Sequence, residues 1–222
     1  MPYLQHGAVQ PPQHNGAKPA RLPGMLADLT DETLMQRYQT GDIAAFGELY
    51  RRHSQGLYRF IAWQAPRVDW ADEIAQDSWA SLHKAAGRYQ PQAGFRTYLY
   101  QIARNRLIDL LRQHQPLLES DLAGAHDVAP HAALDRLAAA NDQPTPEAAL
   151  AEKQRAQRLQ AAIRSLPAEQ REALVLQQFN GMSLDEIAVL TGAAAETVKS
   201  RLRYAMQKLR ATLAQDAEGE QA

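Results

Sequence analysis

Apolar residues recur at three- and four-residue steps along most of the chain, which is the spacing of a buried helical face. In the first half this face is formed by Leu34, Tyr38, Phe46, Leu49, Tyr50, Leu57, Phe60 and Ile61. No stretch of useful length alternates apolar and polar residues, as a half-buried β-strand would. The pattern therefore predicts an all-α protein.

Capping residues divide the first half into elements. Thr30 is the predicted N-cap of the first helix, because the carboxylates of Asp31 and Glu32 follow it and interact favourably with the helix dipole. Asp42 can cap the second helix in the same way. Two further helices, separated by a loop, have apolar residues at Ile74, Trp79, Leu82, Leu99, Ile102, Ala103, Leu107, Leu110 and Leu111.

Changes in composition predict how the chain is organised. Residues 1–29 contain five Pro and little periodicity, which predicts a disordered N-terminal arm. Residues 30–115 form a first helical domain. Residues 116–144 have one Arg against five carboxylates, a net charge of −4, and are predicted to be a flexible acidic linker. Residues 145–213 form a second helical domain, and residues 214–222 an acidic tail.

The second domain contains a short helix, a turn and a basic helix. Ser183 and Glu186 have the spacing of a capping box, in which each residue satisfies a backbone N–H of the other. Gly192 suits the left-handed backbone of a tight turn. The basic helix begins near Ala194 and carries five basic residues against one acidic residue up to Leu213, a net charge of +4. Its predicted buried stripe is Val198, Leu202, Ala205 and Leu209.

This order of elements is typical of a helix-turn-helix, whose second helix enters the major groove of DNA. The residues that can reach base edges lie early in that helix and are Glu196, Thr197, Lys199 and Ser200. Arg201, Arg203 and Lys208 are better placed for phosphates. A basic helix on the solvated side of an ordinary bundle is the alternative. The capping box, the turn glycine and the one-sided charge together favour DNA binding.

Aromatic and basic residues are interleaved near the end of the first domain. They are Arg88, Tyr89, Phe95, Arg96, Tyr98, Tyr100, Arg104, Arg106 and Arg112. Such a mixture suits single-stranded DNA, because an unstacked base can stack on a ring while a cation holds the phosphate. A buried core explains Phe95 and Tyr98 at least as well. Tyr89 lies in a predicted loop and is harder to explain as core.

The helix before this segment has a polar face that contains Asp72, Glu73, Gln76 and Asp77. An acidic face with an amide side chain can dock a partner helix. The pattern alone favours a solvated surface.

Two segments together resemble one protein family. DEIAQDSW…FRTYLYQIARNRLIDLLR is similar to the promoter-melting domain of bacterial sigma factors, and LPAEQREALVLQQFNGMSLDEIAVLTG…ETVKSRLRYAMQKLR is similar to their C-terminal helix-turn-helix. With only a short linker between the domains, the chain resembles the compact extracytoplasmic-function (ECF) group. The resemblance covers residues 31–115 and 148–213, and both segments occur in the family's order.

The resemblance implies a protein that binds core RNA polymerase and directs promoter recognition, DNA melting and transcription initiation. The polar face would bind the β′ coiled coil through Asp72, Gln76 and Asp77. The first domain would capture the non-template strand of the minus-ten element with Arg88, Tyr89, Phe95, Arg96, Tyr98, Arg104, Asn105 and Arg112. Tyr89 and Asn105 would line the pocket for a flipped base.

The resemblance also assigns roles to the rest of the chain. The second domain would bind the β flap and read the minus-thirty-five element through Glu196, Thr197, Lys199, Ser200, Arg201 and Arg203. The acidic linker would follow a path through a basic nucleic-acid channel. An anti-sigma factor, which the family commonly has, is a further candidate partner.

The chain departs from the family's pattern in the reading helix. Tyr204 stands where the family often has Arg, and Ala193–Ala195 with Glu196 replace the usual Gly or Pro before Thr-Val. The base preference at the upstream element is therefore not predicted. The N-terminal arm is not a family feature either.

Composition excludes several kinds of site. The chain has no Cys, so it can form neither a disulfide nor a thiolate metal site, and a reducing cytoplasm is the expected compartment. No apolar run approaches the roughly 18 residues of a membrane span, and we expect no membrane insertion. The seven His lack HExxH spacing, and neither a Gly-rich phosphate loop nor a GxSxG elbow occurs. We therefore expect no catalytic site, no metal and no cofactor.

Two other classes of protein would share part of this pattern. A helix-turn-helix regulator acting without the sigma role would need a dimer interface or a ligand pocket, and residues 31–115 suggest neither. A sigma mimic that binds polymerase without reading promoters would have no use for the segment rich in aromatic residues and Arg.

The separation of charge predicts that the free protein binds duplex DNA weakly. The net charge is −1, and the acidic linker and tail oppose the basic helix. Titration of promoter duplex with the free protein should give weak, strongly salt-dependent binding. Tight binding that is insensitive to salt would contradict this expectation.

Overall fold

The computed structural model describes residues 26–90, 94–121 and 146–219. Every regular element in these ranges is helical, which confirms the predicted fold class of two helical domains. Most of the predicted N-terminal arm, the linker from residue 122 onward and the last three residues of the tail lie outside the described residues.

Four helices make up the first domain. They are α1 (Asp31–Gln39), α2 (Ile43–Gln64), α3 (Val68–Ala85) and α4 (Phe95–Asp121), and a short 3-10 turn (Ala86–Arg88) follows α3. Helix α2 packs against α1, α3 and α4, and α3 also packs against α4. Most of the apolar residues predicted for these faces are buried or half-buried in this bundle, but the prediction is wrong for Tyr50, which is 49% exposed although its ring contacts Trp79.

Both predicted N-caps of the first domain are confirmed. The Thr30 hydroxyl accepts a hydrogen bond from the Thr33 backbone N–H at 3.2 Å. The Asp42 carboxylate accepts from the backbone N–H groups of Ala44 and Ala45 at 3.0 and 3.2 Å. These bonds satisfy donors that the first helical turn would otherwise leave unpaired.

A turn before α1 is fixed by one arginine. Arg52 on α2 donates to the backbone carbonyl oxygens of Leu26, Ala27 and Leu29 at 3.0, 2.7 and 2.8 Å. It also forms an ion pair with Asp31 at 2.9 Å. The turn therefore lies against α2 and precedes Thr30, where the sequence predicted ordered structure to begin.

Helix α4 continues to Asp121 and includes the first six residues of the predicted linker. The sequence placed that boundary at Pro116, since proline interrupts helical hydrogen bonding. A proline has no N–H to donate to the carbonyl four residues earlier, here that of Arg112, but the helix continues through Pro116.

The second domain also consists of helices. They are α5 (Pro146–Arg164), α6 (Ala168–Leu174), which continues into a π-helical turn (Val175–Phe179), α7 (Leu184–Thr191) and α8 (Ala195–Gly219). Helix α8 packs against α5, α6 and α7. It extends to Gly219, well into the predicted acidic tail.

The predicted helix-turn-helix is present. The Ser183 hydroxyl accepts from the Glu186 N–H at 3.2 Å, and the Glu186 carboxylate accepts from the Ser183 N–H at 2.8 Å. Gly192 ends α7 with φ of 68°, a left-handed conformation that favours glycine. The buried stripe of α8 is also confirmed, with Val198, Leu202, Ala205 and Leu209 all buried.

The two domains share one continuous hydrophobic core. Trp63 of α2 stacks on Phe179 of the π-helical turn with ring centroids 5.7 Å apart. Helices α2 and α4 of the first domain contact α6, α7 and the π-helical turn of the second. The sequence predicted two domains and a linker, but not this contact between them.

Within the described ranges, no helix is both long enough and apolar enough to span a membrane.

Removal of the capping hydroxyl tests the helix-turn-helix geometry. We expect Ser183→Ala to lower the free energy of unfolding by about 1 kcal/mol, because the Glu186 N–H loses its acceptor. Urea denaturation followed by circular dichroism measures this change. Ser183→Thr retains a hydroxyl and is the control. A loss for Ser183→Thr equal to that for Ser183→Ala would contradict the capping role.

Candidate nucleic-acid interface

Helix α8 presents a polar surface opposite its buried stripe. The predicted base-reading residues Glu196, Thr197 and Lys199 are exposed, and Ser200 is half-buried. The stripe fixes which way these side chains point, because an α-helix turns about 100° per residue. The first turns of α8 are therefore open to an approaching DNA groove.

The two arginines predicted for this surface have different surroundings. Arg201 donates to Glu169 of α6 at 2.5 Å, and that ion pair holds its guanidinium against the domain. Arg203 is exposed, and its guanidinium carbon lies 5.0 Å from the ring centroid of Tyr204. Tyr204 was not a predicted site residue, and it is half-exposed beside Arg203. Arg203 is therefore more available than Arg201 for contact with a partner.

Tyr89 is buried, with only 6% of its surface exposed, contrary to the expectation for a loop residue. Its ring contacts Phe95 edge-on at 6.3 Å and Tyr98 at 5.2 Å between centroids. The Gln39 amide fixes the local backbone, since it donates to the carbonyls of Ala86 and Tyr89 at 2.8 and 3.0 Å. The 3-10 turn after α3 thereby directs Tyr89 back into the core.

The Tyr89 hydroxyl has no hydrogen-bond partner within the described residues. Burial raises the pKa of this phenol to about 12, so it is neutral and keeps its proton at physiological pH. Phe95 below it is fully buried, which agrees with the core interpretation of that residue. Tyr98 is half-buried at the edge of this cluster.

One face of α4 carries three of the predicted minus-ten residues at seven-residue intervals. Tyr98, Asn105 and Arg112 recur at this spacing, which places them on one side of the helix. Asn105 and Arg112 are exposed, and the Asn105 amide oxygen accepts from Gln101 at 3.0 Å. Arg88, also exposed, follows α3 in the 3-10 turn.

The two remaining predicted cations, Arg96 and Arg104, lie on another face of α4 and contact the second domain. Arg96 donates from one terminal nitrogen to both carboxylate oxygens of Glu186 at 2.8 and 2.9 Å. Its other terminal nitrogen donates to the Asn180 carbonyl at 3.1 Å. Arg104 forms an ion pair with Glu172 at 2.8 Å.

Tyr100 completes this contact between Arg96 and Arg104. It is 2% exposed, and its hydroxyl donates to the Asn180 side-chain oxygen at 2.8 Å. The Asn180 amide in turn donates to the Val175 carbonyl at 3.1 Å. Sequence analysis missed this arrangement, because no periodic pattern relates residues that lie about eighty positions apart.

The Glu186 carboxylate is ionised at neutral pH. Burial opposes ionisation, but the Ser183 backbone N–H and the Arg96 guanidinium outweigh it and lower the pKa of Glu186 below its usual value of 4.5. The carboxylate thus belongs to the capping box and to the interdomain ion pair at once.

The predicted polymerase-binding face lies on α3. Asp72 and Gln76 are exposed. Asp77 accepts from Arg106 of α4 at 2.7 Å, and the same guanidinium reaches Glu73 at 3.3 Å. Arg106 therefore neutralises part of this acidic face and fixes Asp77 relative to α4.

Among the described residues, no group of three or more His, Asp or Glu side chains is arranged to hold a metal ion.

Comparison with known families matches both domains. Residues 49–116 match the model described as Sigma-70 region 2, and residues 156–209 match Sigma-70, region 4. The two matches cover most of α2, all of α3, most of α4 and most of the second domain, including the helix-turn-helix.

Known sequences match over most of their length. The chain is 32% identical over 180 residues to the ECF RNA polymerase sigma factor SigM of Mycobacterium tuberculosis, covering 81% of this chain and 83% of SigM. It is 31% identical over 184 residues to the RNA polymerase sigma factor NccH of Alcaligenes xylosoxydans xylosoxydans, covering 82% of this chain and 94% of NccH.

Solved structures share the fold. The sigma factor RpoE from Bartonella quintana, in complex with the anti-sigma factor NepR, has a TM-score of 0.60 and 23% identity, over 76% of this chain and 96% of that one. CnrH, in complex with the cytosolic domain of CnrY, has a TM-score of 0.58 and 24% identity, over 84% and 98% of the two chains.

Two sigma-70 regions in the family's order, and relatives more than 30% identical over most of their length, establish that the chain belongs to the ECF group of RNA polymerase sigma factors, which direct promoter recognition.

Proposed function

We propose that this sigma factor contacts promoter DNA through two separate exposed surfaces, one on α8 and one on α4. The observation that carries the proposal is the register of α4, in which Tyr98, Asn105 and Arg112 share one face while the aromatic core lies behind it. The protein acts as a binding factor for core RNA polymerase and needs neither a cofactor nor a catalytic group of its own.

The α8 surface suits duplex DNA at the minus-thirty-five element. Thr197 and Lys199 are exposed in the first turns of the helix, where major-groove readers contact base edges. Arg203 is exposed farther along and suits a phosphate, since no carboxylate in the described part of the chain pairs with it. Arg201 becomes available only if its ion pair with Glu169 opens.

The α4 surface suits the melted non-template strand of the minus-ten element. Asn105 offers an amide that can hydrogen-bond a base edge, and Arg112 offers a cation for the backbone. Opening a base out of the duplex costs roughly a few kcal/mol, which a preformed pocket can offset. Tyr89 and Phe95 support this surface from within the core and do not themselves present a free ring.

The α3 surface suits the β′ coiled coil of core polymerase. Asp72 and Gln76 are exposed on one side of the helix and can accept and donate hydrogen bonds to a partner helix. Asp77 is positioned by Arg106 beside them. The second domain would contact the β flap.

Other partners and the compartment follow from the family. An anti-sigma factor is a candidate partner, since RpoE was solved with one. Transcription takes place in the cytoplasm, which is therefore the proposed location. The linker, with its net charge of −4, would enter a basic nucleic-acid channel.

Run-off transcription tests the role of Asn105. Core polymerase with the wild-type protein should initiate at discrete sites on sheared genomic DNA, and Asn105→Ala should reduce these transcripts about tenfold or more because strand capture fails. Gln113→Ala, which removes another exposed amide of α4 outside the predicted minus-ten residues, is the matched control. A template already mismatched at the minus-ten element should restore part of the lost activity. Full activity of Asn105→Ala on duplex templates would refute this assignment.

The salt dependence of promoter binding tests the role of Arg203. If Arg203 contacts one phosphate, Arg203→Ala should make the slope of log K against log salt shallower by about 0.9 for the polymerase holoenzyme on duplex promoter. Filter binding below the melting temperature of the promoter measures this slope. Arg155→Ala, which removes an exposed arginine of α5 outside the reading helix, should leave it unchanged. Equal slopes for Arg203→Ala and wild type would exclude a phosphate contact.

A further inference from the structure

The interdomain contact uses two cations that the family resemblance assigns to DNA. Arg96 is held by Glu186 at 2.8 Å, and Arg104 by Glu172 at 2.8 Å. The other assigned cations of the first domain, Arg88 and Arg112, are exposed. Of the arginines that the resemblance assigns to the minus-ten element, the two that face the second domain are thus paired with its carboxylates.

A carboxylate and a phosphate offer a guanidinium the same kind of partner. Both present paired anionic oxygens, and Arg binds both with short charge-assisted hydrogen bonds. Arg104 approaches Glu172 side-on, through its Nε at 2.8 Å and a terminal nitrogen at 3.5 Å. Neither arginine can keep its carboxylate partner and turn the same nitrogen atoms to a DNA phosphate.

A glycine makes the close approach of the domains possible. A Cβ atom at Gly56 would lie 2.9 Å from the Tyr100 hydroxyl and 3.2 Å from the Asn180 side-chain oxygen, the two atoms joined by the central hydrogen bond of the contact. Gly56 lies inside the 22-residue helix α2, where glycine is unfavourable for the helix itself. Its presence there is explained by the space that Tyr100 and Asn180 need.

The contact is suited to opening reversibly. The side chains of Arg96 and Glu186 are 30% and 33% exposed, so water and salt can compete for this ion pair. The Arg104 and Glu172 side chains are more enclosed, at 23% and 13%. Apolar contact is supplied by the stacked rings of Trp63 and Phe179.

We propose that two carboxylates occupy the place of phosphates of the melted DNA strand: Glu186 holds Arg96, and Glu172 holds Arg104. The free protein is then closed, and strand binding requires the two domains to separate. The inference rests on the proposed function, because it takes the first domain as the site of strand capture. Strand binding and domain separation are then linked, and each favours the other.

The distance between the domains can be measured directly. The chain has no Cys, so Lys84→Cys on α3 and Gln207→Cys on α8, both at exposed positions, accept spin labels without background labelling. Pulsed electron paramagnetic resonance on the full chain should give one narrow distance distribution. Addition of a mixed-sequence single-stranded oligonucleotide should shift it to longer, broader distances.

Two independent variants should open the contact without removing any DNA-directed cation. Gly56→Ala introduces the Cβ atom that displaces Tyr100 from Asn180, and Glu172→Gln removes the charge that holds Arg104. Gly87→Ala is the matched glycine control, because a Cβ atom there would contact nothing within 4 Å. Glu152→Gln, exposed on α5, is the matched charge control. We expect longer distances for the first two variants only.

Release of both arginines should also change DNA binding. For the double variant Gly56→Ala with Glu172→Gln, the slope of log K against log salt for the oligonucleotide should steepen by about 1.4, the value for two added phosphate contacts on a single strand. Fluorescence anisotropy measures this slope, and both control variants should retain the wild-type value.

Two results would overturn the inference. Wild-type distances that are already broad, and that neither Gly56→Ala nor Glu172→Gln changes, would mean that the domains are not held together. Longer distances with an unchanged salt slope would mean that the carboxylates do not compete with DNA. The transcription assay of Asn105→Ala does not depend on this contact, so failure of the proposed function appears in a different measurement.

Discussion

The register of α4 is the constraint on which the rest of the structure depends. One helix supplies the buried side of the first domain, the exposed face with Asn105, the arginines that meet the second domain, and Arg106 for the acidic face of α3. The Phe95 backbone N–H donates to the Glu32 carboxylate at 3.0 Å and fixes the first turn of α4 against α1. A shift of one residue would rotate every surface by about 100°.

Local features were predictable from the sequence, and contacts between distant segments were not. The caps at Thr30, Asp42 and Ser183 and the turn at Gly192 depend on neighbouring residues only, and each is confirmed. The burial of Tyr89 depends on Gln39, fifty residues earlier. The residues around Tyr89 predict a loop and contain no sign of this contact. The pairing of α4 arginines with the second domain is likewise a tertiary contact, so the assignment of the site residues remains a prediction.

Helix α6 connects the electrostatics of the two DNA-directed surfaces. Glu169 and Glu172, one helical turn apart, pair with Arg201 of the reading helix and Arg104 of α4 respectively. Segregated charge in the sequence had suggested a free basic helix, but the structure supplies acidic partners for part of that charge. The chain has a net charge of −1, and part of its positive charge is neutralised locally by ion pairs with glutamates of α6.

The double use of Glu186 has an entropic consequence for contact between the domains. The Ser183 N–H holds its carboxylate at 2.8 Å within the second domain itself, so this acceptor is already oriented before Arg96 arrives. Ordering a long side chain opposes any ion pair. In this ion pair only the Arg96 side chain loses conformational entropy when the domains meet. The Glu186 carboxylate is already ordered by the capping box of the helix-turn-helix.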